Sequence, residues 1–139
     1  MTKRQKEWVF SPSRSPRPKP RMPEALKTEV TTRANDVVEK VLKPRHVQLP
    51  SDNQQFNYIT DIFTRWYHSY FYFCSTYACP GPNALSPTFE SRFARMEYVG
   101  NNRFALAYMR YTGQWLELYP SLSLDECLRA MSEEGYFQP

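Results

Sequence analysis

At 139 residues the chain suits one compact domain, and its 41% apolar and 16% aromatic content, with ten Tyr and nine Phe, supplies a core made largely of rings. No apolar run approaches the ~18 residues a membrane-spanning helix needs, and the charged, proline-broken start lacks the apolar centre of a secretory signal, so the expected location is cytoplasmic. The net charge of +4 is unevenly spread: Lys3, Arg4, Lys6, Arg14, Arg17, Lys19 and Arg21 against Glu7 alone put +6 into residues 1–21 and leave −2 for the rest.

The basic segment SPSRSPRPKPRMP holds prolines at 12, 16, 18, 20 and 23, which favour extended backbone and oppose a helix. It has too little apolar surface to order itself alone. An extended cationic arm can track an anionic surface, each neutralised phosphate adding salt-sensitive affinity, and the competing reading is a solvated tail that keeps the protein soluble. Trp8, Val9 and Phe10 are out of keeping with a purely solvated tail, and they suggest an anchor or an added edge strand. The expected organisation is therefore a basic Pro-rich extended arm over residues 1–22 and a single α+β domain over residues 23–139.

From Pro23 to Lys43 the pattern is helical. Leu26, Val30, Val37 and Val41 recur near a 3.6-residue period, Ala34, Val38 and Leu42 widen the stripe, and Pro44 is expected to stop the helix at Lys43. After a polar connector from residue 45, FNYITDIFTRWYHSYFYFCSTYA is rich in aromatic and β-branched residues and too long for one strand. It divides near Tyr67, His68 and Ser69 into a hairpin. CPGPNALSP is a loop. Three more strands follow, with turns at Asn101–Asn102 and Thr112–Gly113, and then a helix with Ser123 as N-cap and Glu126 completing a capping box. Gly135 is expected to end that helix. The fold class is α+β: a two-layer domain with an antiparallel sheet of about five strands between an N-terminal and a C-terminal helix.

Two-residue turns set an expected register. Arg95 should oppose Tyr108 and Phe93 oppose Arg110, while Arg110 meets Trp115 and Tyr108 meets Glu117. One face then carries Phe93, Arg95, Tyr108, Arg110, Trp115 and Glu117, and the other carries Ala94, Met96, Ala105, Ala107, Met109, Leu116 and Leu118 beneath a helix. Rings alternating with charges on an open face can simply stitch strands together, stack unpaired bases, or form a protein interface.

Chemistry finds little to work with. Three cysteines, Cys74, Cys79 and Cys127, cannot all pair within one chain and are expected as reduced thiols, Cys74 packed in a strand and Cys127 on a helix's apolar face. His46 and His68 are the only imidazoles, and the short ligand pairs of a zinc site are missing, so neither metal nor cofactor is expected. The nearest thing to a nucleophile–base pair, Cys79 with His68, should lie at opposite ends of one strand, and no glycine loop suits a phosphate. The expectation is a protein that is not an enzyme.

The run FARMEYVGNNRFALAYMRYTGQWLELYPSLSLDECLRAM, ending GYFQP, resembles an uncharacterised family of small bacterial proteins known only as a domain of unknown function. Phe93, Ala94, Arg95, Arg110, Gly113, Trp115, Leu124 and Phe137 occupy the matching places over about the last 50 residues. The resemblance implies the sheet-and-helix arrangement and no activity. The function expected from the residues is a small non-catalytic accessory protein contacting nucleic acid, RNA ahead of DNA, within a ribonucleoprotein. Its contacts would be Lys3, Arg4, Lys6, Arg14, Arg17, Lys19 and Arg21 of the arm and Phe93, Arg95, Tyr108, Arg110 and Trp115 of the sheet. The alternative is a protein–protein adaptor or self-associating structural protein.

Overall fold

The computed structural model describes residues 20–50 and 54–139. Pro23, in extended geometry, precedes helix α1 (Glu24–Val37), and Glu24 lies in its positive first turn. The apolar stripe emerges at four-residue steps: Val30, Ala34, Val38 and Leu42 are buried, with Leu26 and Val37 packed beside them. The stop expected at Pro44 does not occur. The helix widens into a π turn (Val38–Leu42) and resumes as α2 (Lys43–His46), with Pro44 in the first turn of that segment. The Lys43 N–H reaches back five residues to the Val38 carbonyl. This shift of the ladder carries the helix past a residue that has no N–H to donate. The connector thus begins at Val47, and His46 is helical.

Among the described residues, five antiparallel strands form a meander, adjacent in the order β1 (Tyr58–Tyr67), β2 (Tyr70–Ala78), β3 (Thr88–Gly100), β4 (Arg103–Met109) and β5 (Trp115–Ser123). The aromatic run divides where expected, at a turn in which His68 takes φ 53°, and Asn101 and Asn102 take φ 53° and 56°, the left-handed pair of a type I′ hairpin. Helix α3 (Leu124–Glu133) starts with the expected capping box: Ser123 Oγ accepts from the Glu126 N–H at 3.1 Å, and Glu126 Oε1 accepts from the Ser123 N–H at 2.8 Å. Glu134 ends α3 in extended geometry, and Gly135 opens a 3-10 turn (Gly135–Phe137) that drives Phe137 into the core. Helices α1 and α3 cover one face of the sheet, over Phe71, Phe73, Ala94, Met96, Phe104 and Leu106.

The register differs from the two-residue expectation at both turns. Gly100 faces Arg103 as expected, but Val99 is an extra residue in β3, so below it Ala94 opposes Tyr108 and Arg95 opposes Ala107. At the second turn the Arg110 N–H donates to the Gln114 carbonyl and the Gly113 N–H to the Arg110 carbonyl, both at 2.9 Å. That wider loop removes Arg110 from the ladder and sets Met109 opposite Trp115, Tyr108 opposite Leu116 and Ala107 opposite Glu117. A one-residue slip turns a strand over, and two slips cancel. Strands β3 and β5 therefore keep their expected sides while β4 alone is inverted. Phe104, Leu106 and Tyr108 face the helices, and Ala105, Ala107 and Met109, expected beneath a helix, face away.

Candidate functional site

The sheet face away from the helices carries a second, thinner packed layer. Tyr72, Cys74, Ala105 and Ala107 are at most 5% exposed, yet none belongs to the helix-side core. One cross-strand row on this face runs Arg65, Tyr72, Arg95, Ala107, Glu117, and the next runs Tyr67, Tyr70, Glu97, Ala105. The Arg95 guanidinium lies 4.5 Å from the Tyr70 ring and 4.7 Å from the Trp115 ring. That of Arg92 lies 4.3 Å from Tyr72 and 5.6 Å from Tyr67. Ring contacts of 5.8 Å between Tyr70 and Tyr72 and 5.7 Å between Tyr72 and Trp115 join the two groups into one interleaved patch.

Two local features build it. In β2, Tyr70 and Tyr72 alternate with Phe71 and Phe73, so the hydroxylated rings point out and the purely apolar ones point in. In β3 the register slips between the Phe73–Ala94 and Cys74–Arg92 pairs, leaving Phe93 as the extra residue. Phe93 and Ala94 are consequently both buried, and Arg92 and Arg95, three residues apart, share the outer face. Strands β2 and β5 are three steps apart, about 14 Å at the usual spacing. Tyr72 and Trp115 close that span by leaning together over β3 and β4, where Ala105 and Ala107 offer no bulk to hold them apart.

Electrostatics on this face are mixed. Arg65 pairs with Glu90 at 3.3 Å, both side chains about half exposed. Burial pushes the Cys74 thiol up, with Arg65 and Arg92 pulling weakly the other way, and burial pushes Cys127 up to about 12. Neither thiol is a nucleophile near neutral pH. His68 and Cys79 sit at opposite ends of β2. The cleft between α1 and α3 is lined by Arg33, Asp36, Glu39, Arg129 and Glu133. Its charges are largely matched: Arg33 with Asp125 and Glu29, Lys40 with Asp36, Lys43 with Glu39. Among the described residues no group of three or more His, Cys, Asp or Glu could hold a metal ion, and no helix is long and apolar enough to cross a membrane.

Of the residues expected to form a binding face, Arg95 and Trp115 come together on it. Phe93 does not: the bulge turns it inward, 6% exposed, against Phe73. Tyr108 lies on the helix side against Tyr136 and Phe137, because β4 is inverted. Arg110 is exposed at the β4–β5 loop, outside the patch. Arg21 is exposed beside Trp66, His68 and Tyr98. Lys3, Arg4, Lys6, Arg14, Arg17 and Lys19, with Trp8, Val9 and Phe10, lie outside the described residues. Tyr67, Tyr70, Tyr72 and Arg92 were not among the expected contacts. The Tyr/Phe alternation of YFYF signals the tyrosines, whereas the bulge that recruits Arg92 leaves no mark in the sequence.

No curated protein and no solved structure matches the chain. A family model described as a domain of unknown function (DUF3024) matches residues 22–139, well beyond the C-terminal stretch in which the resemblance was read. The chain belongs to the DUF3024 family.

Proposed function

We propose that this protein is a small, non-catalytic, cytoplasmic accessory protein that contacts single-stranded nucleic acid, RNA ahead of DNA, within a ribonucleoprotein. One observation carries the reading: Arg92 and Arg95 interleaved with Tyr67, Tyr70 and Trp115 on an open sheet face, over the buried ring of Tyr72. Unpaired bases stack on rings and guanidinium planes, each contributing about 1–3 kcal/mol, and the same guanidiniums donate to phosphate. Tyr67, 51% exposed, presents the most open ring of the patch. The basic residues 1–21 add the sequence-independent, salt-sensitive part of the affinity.

Salt titration of binding to single-stranded RNA, with duplex DNA as competitor, tests this. Trp115→Ala and Arg95→Ala should each weaken single-strand binding about tenfold or more. Deleting residues 1–21 should flatten the salt dependence while preserving the preference for single strands. Affinity indifferent to all three changes, or absent at low salt, overturns the proposal. In that case the patch is left to the adaptor reading, since Tyr, Trp and Arg are also enriched at protein interfaces.

A further inference from the structure

We propose that strand β1 is a docking edge for a second copy of this chain, which pairs with it antiparallel about Phe63 to continue the sheet across a twofold axis. The proposal is independent of the nucleic-acid reading.

Among the described residues the sheet has two edges, β1 and β5. Strand β5 carries Pro120, which has no N–H to donate, and its pairing with β4 is twice irregular. Both features blunt an edge against further pairing. Strand β1 is ten residues long, contains no proline, and from Asp61 to Tyr67 pairs with β2 without a break. Every second residue of such a strand turns its N–H and C=O to the free side. There, among the described residues, no further strand lies beside β1, and the Gln48 N–H reaches only its beginning, at the Ile59 carbonyl.

Exposed charges on an edge normally repel intruding strands. On β1 the two exposed charges are Asp61 and Arg65, placed symmetrically about Phe63. An antiparallel copy centred on Phe63 sets Asp61 opposite Arg65 twice, on the outer face, with Phe63 opposite Phe63 between them. Shifting the pairing by two residues either way leaves both charges opposite something apolar or polar. The edge is thus complementary to itself in one register and poorly matched to others. Both charges are held within the chain by partly exposed contacts, Asp61 by Lys43 at 3.2 Å and Arg65 by Glu90 at 3.3 Å and by the Phe63 ring at 5.1 Å, and pairing of two copies exchanges these for the cross-copy pairs.

Sedimentation equilibrium of the full chain across a wide concentration range tests it. The expected result is a concentration-dependent dimer, weakened at least roughly tenfold by Arg65→Asp, which opposes like charges at both symmetric positions. The double change Asp61→Arg with Arg65→Asp should restore it. A monomer at all concentrations, or a dimer indifferent to Arg65→Asp, overturns the proposal. So does a full chain that stays monomeric while the chain without residues 1–19 dimerises, because the arm would then be the occupant of the edge. Where a variant fails to fold, hydrogen exchange on the wild-type protein decides: β1 amide protection that rises with concentration supports the dimer, and protection that does not change refutes it.

Discussion

The guanidinium of Arg95 lies between rings contributed by β2 and β5, so a single side chain couples strands that share no hydrogen bonds. With each cation–π contact contributing about 0.5–1 kcal/mol, Arg95→Ala should lower unfolding stability by about 1–2 kcal/mol. Arg110→Ala, on the exposed loop, should change it by less than about 0.5 kcal/mol. Denaturant midpoints for the two variants check the contrast, and equal values would remove the structural part of the patch's role. Cys127 carries a pH prediction. Its thiol is held up to about 12 by burial in the folded chain, against an ordinary value near 9.0. Below the ordinary value the group is neutral in both states and contributes no slope. As pH rises above it, the unfolded chain loses the proton that the folded chain retains. Stability should therefore fall between about pH 9 and 12, by up to roughly 1.4 kcal/mol per pH unit from this residue. In Cys127→Ala the alkaline decline should be shallower, whatever the variant's stability at neutral pH.

At the level of single elements, caps and bulges decide where each piece starts and which way it faces. The capping box at the head of α3 satisfies two otherwise orphaned groups, and Ser123 N–H donation holds the Glu126 carboxyl below the usual carboxylate range. Ser123→Ala should cost about 1 kcal/mol of stability, read from a shift in the urea midpoint at neutral pH. The backbone N–H survives in the variant, but the Ser123 hydroxyl also lowers the Glu126 carboxyl, so that part of the difference between wild type and variant should disappear as pH falls through the folded-state pKa. Gly100 precedes the Asn101–Asn102 turn with φ 97°, next to the bulge that inverts β4. An added Cβ there meets nothing closer than Pro20 at 3.6 Å, an ordinary contact. The cost of Gly100→Ala is thus conformational, about 1 kcal/mol or more, and thermal unfolding should show it. The π turn works similarly in the first helix: it lets α1 continue through Pro44, so that Arg45 and His46 reach the C-terminus.

For the molecule as a whole, the two helical segments and the sheet share one core closed by the chain's last residues. Phe137 is fully buried, and Gln138 Oε1 accepts from Arg45 Nη1 at 3.0 Å and lies 2.7 Å from His46 Nε2. The Gln138 amide donates to the Met131 carbonyl at 2.8 Å. The end of the chain therefore ties α2 to α3 across the helix layer. Phe137→Ala should destabilise by about 3–5 kcal/mol, and circular dichroism of the helices and fluorescence of the sheet tryptophans should report one coincident transition. Separate transitions would mean that the helix layer and the sheet unfold independently.

Periodicity and turn chemistry made most of the architecture readable from the residues alone. The helical stripe of Val30, Ala34, Val38 and Leu42, the hairpin break at His68, the paired asparagines and the Ser123–Glu126 box are all local signals, because each depends on neighbours within a turn or two of chain. What the residues did not reveal was sidedness. Val99 and Phe93 are added to β3 as single unpaired residues, and the wider loop at Arg110–Gln114 adds one step more. Whether a strand bulges depends on which partner's side chains fill the core better, not on the bulging residue itself. Phe104 and Leu106 bury more apolar surface beneath the helices than Ala105 and Ala107 could, and that gain, available only once the sheet and helices meet, turned β4 over and left the two alanines on the open face, where Tyr72 and Trp115 lean together beside Arg95.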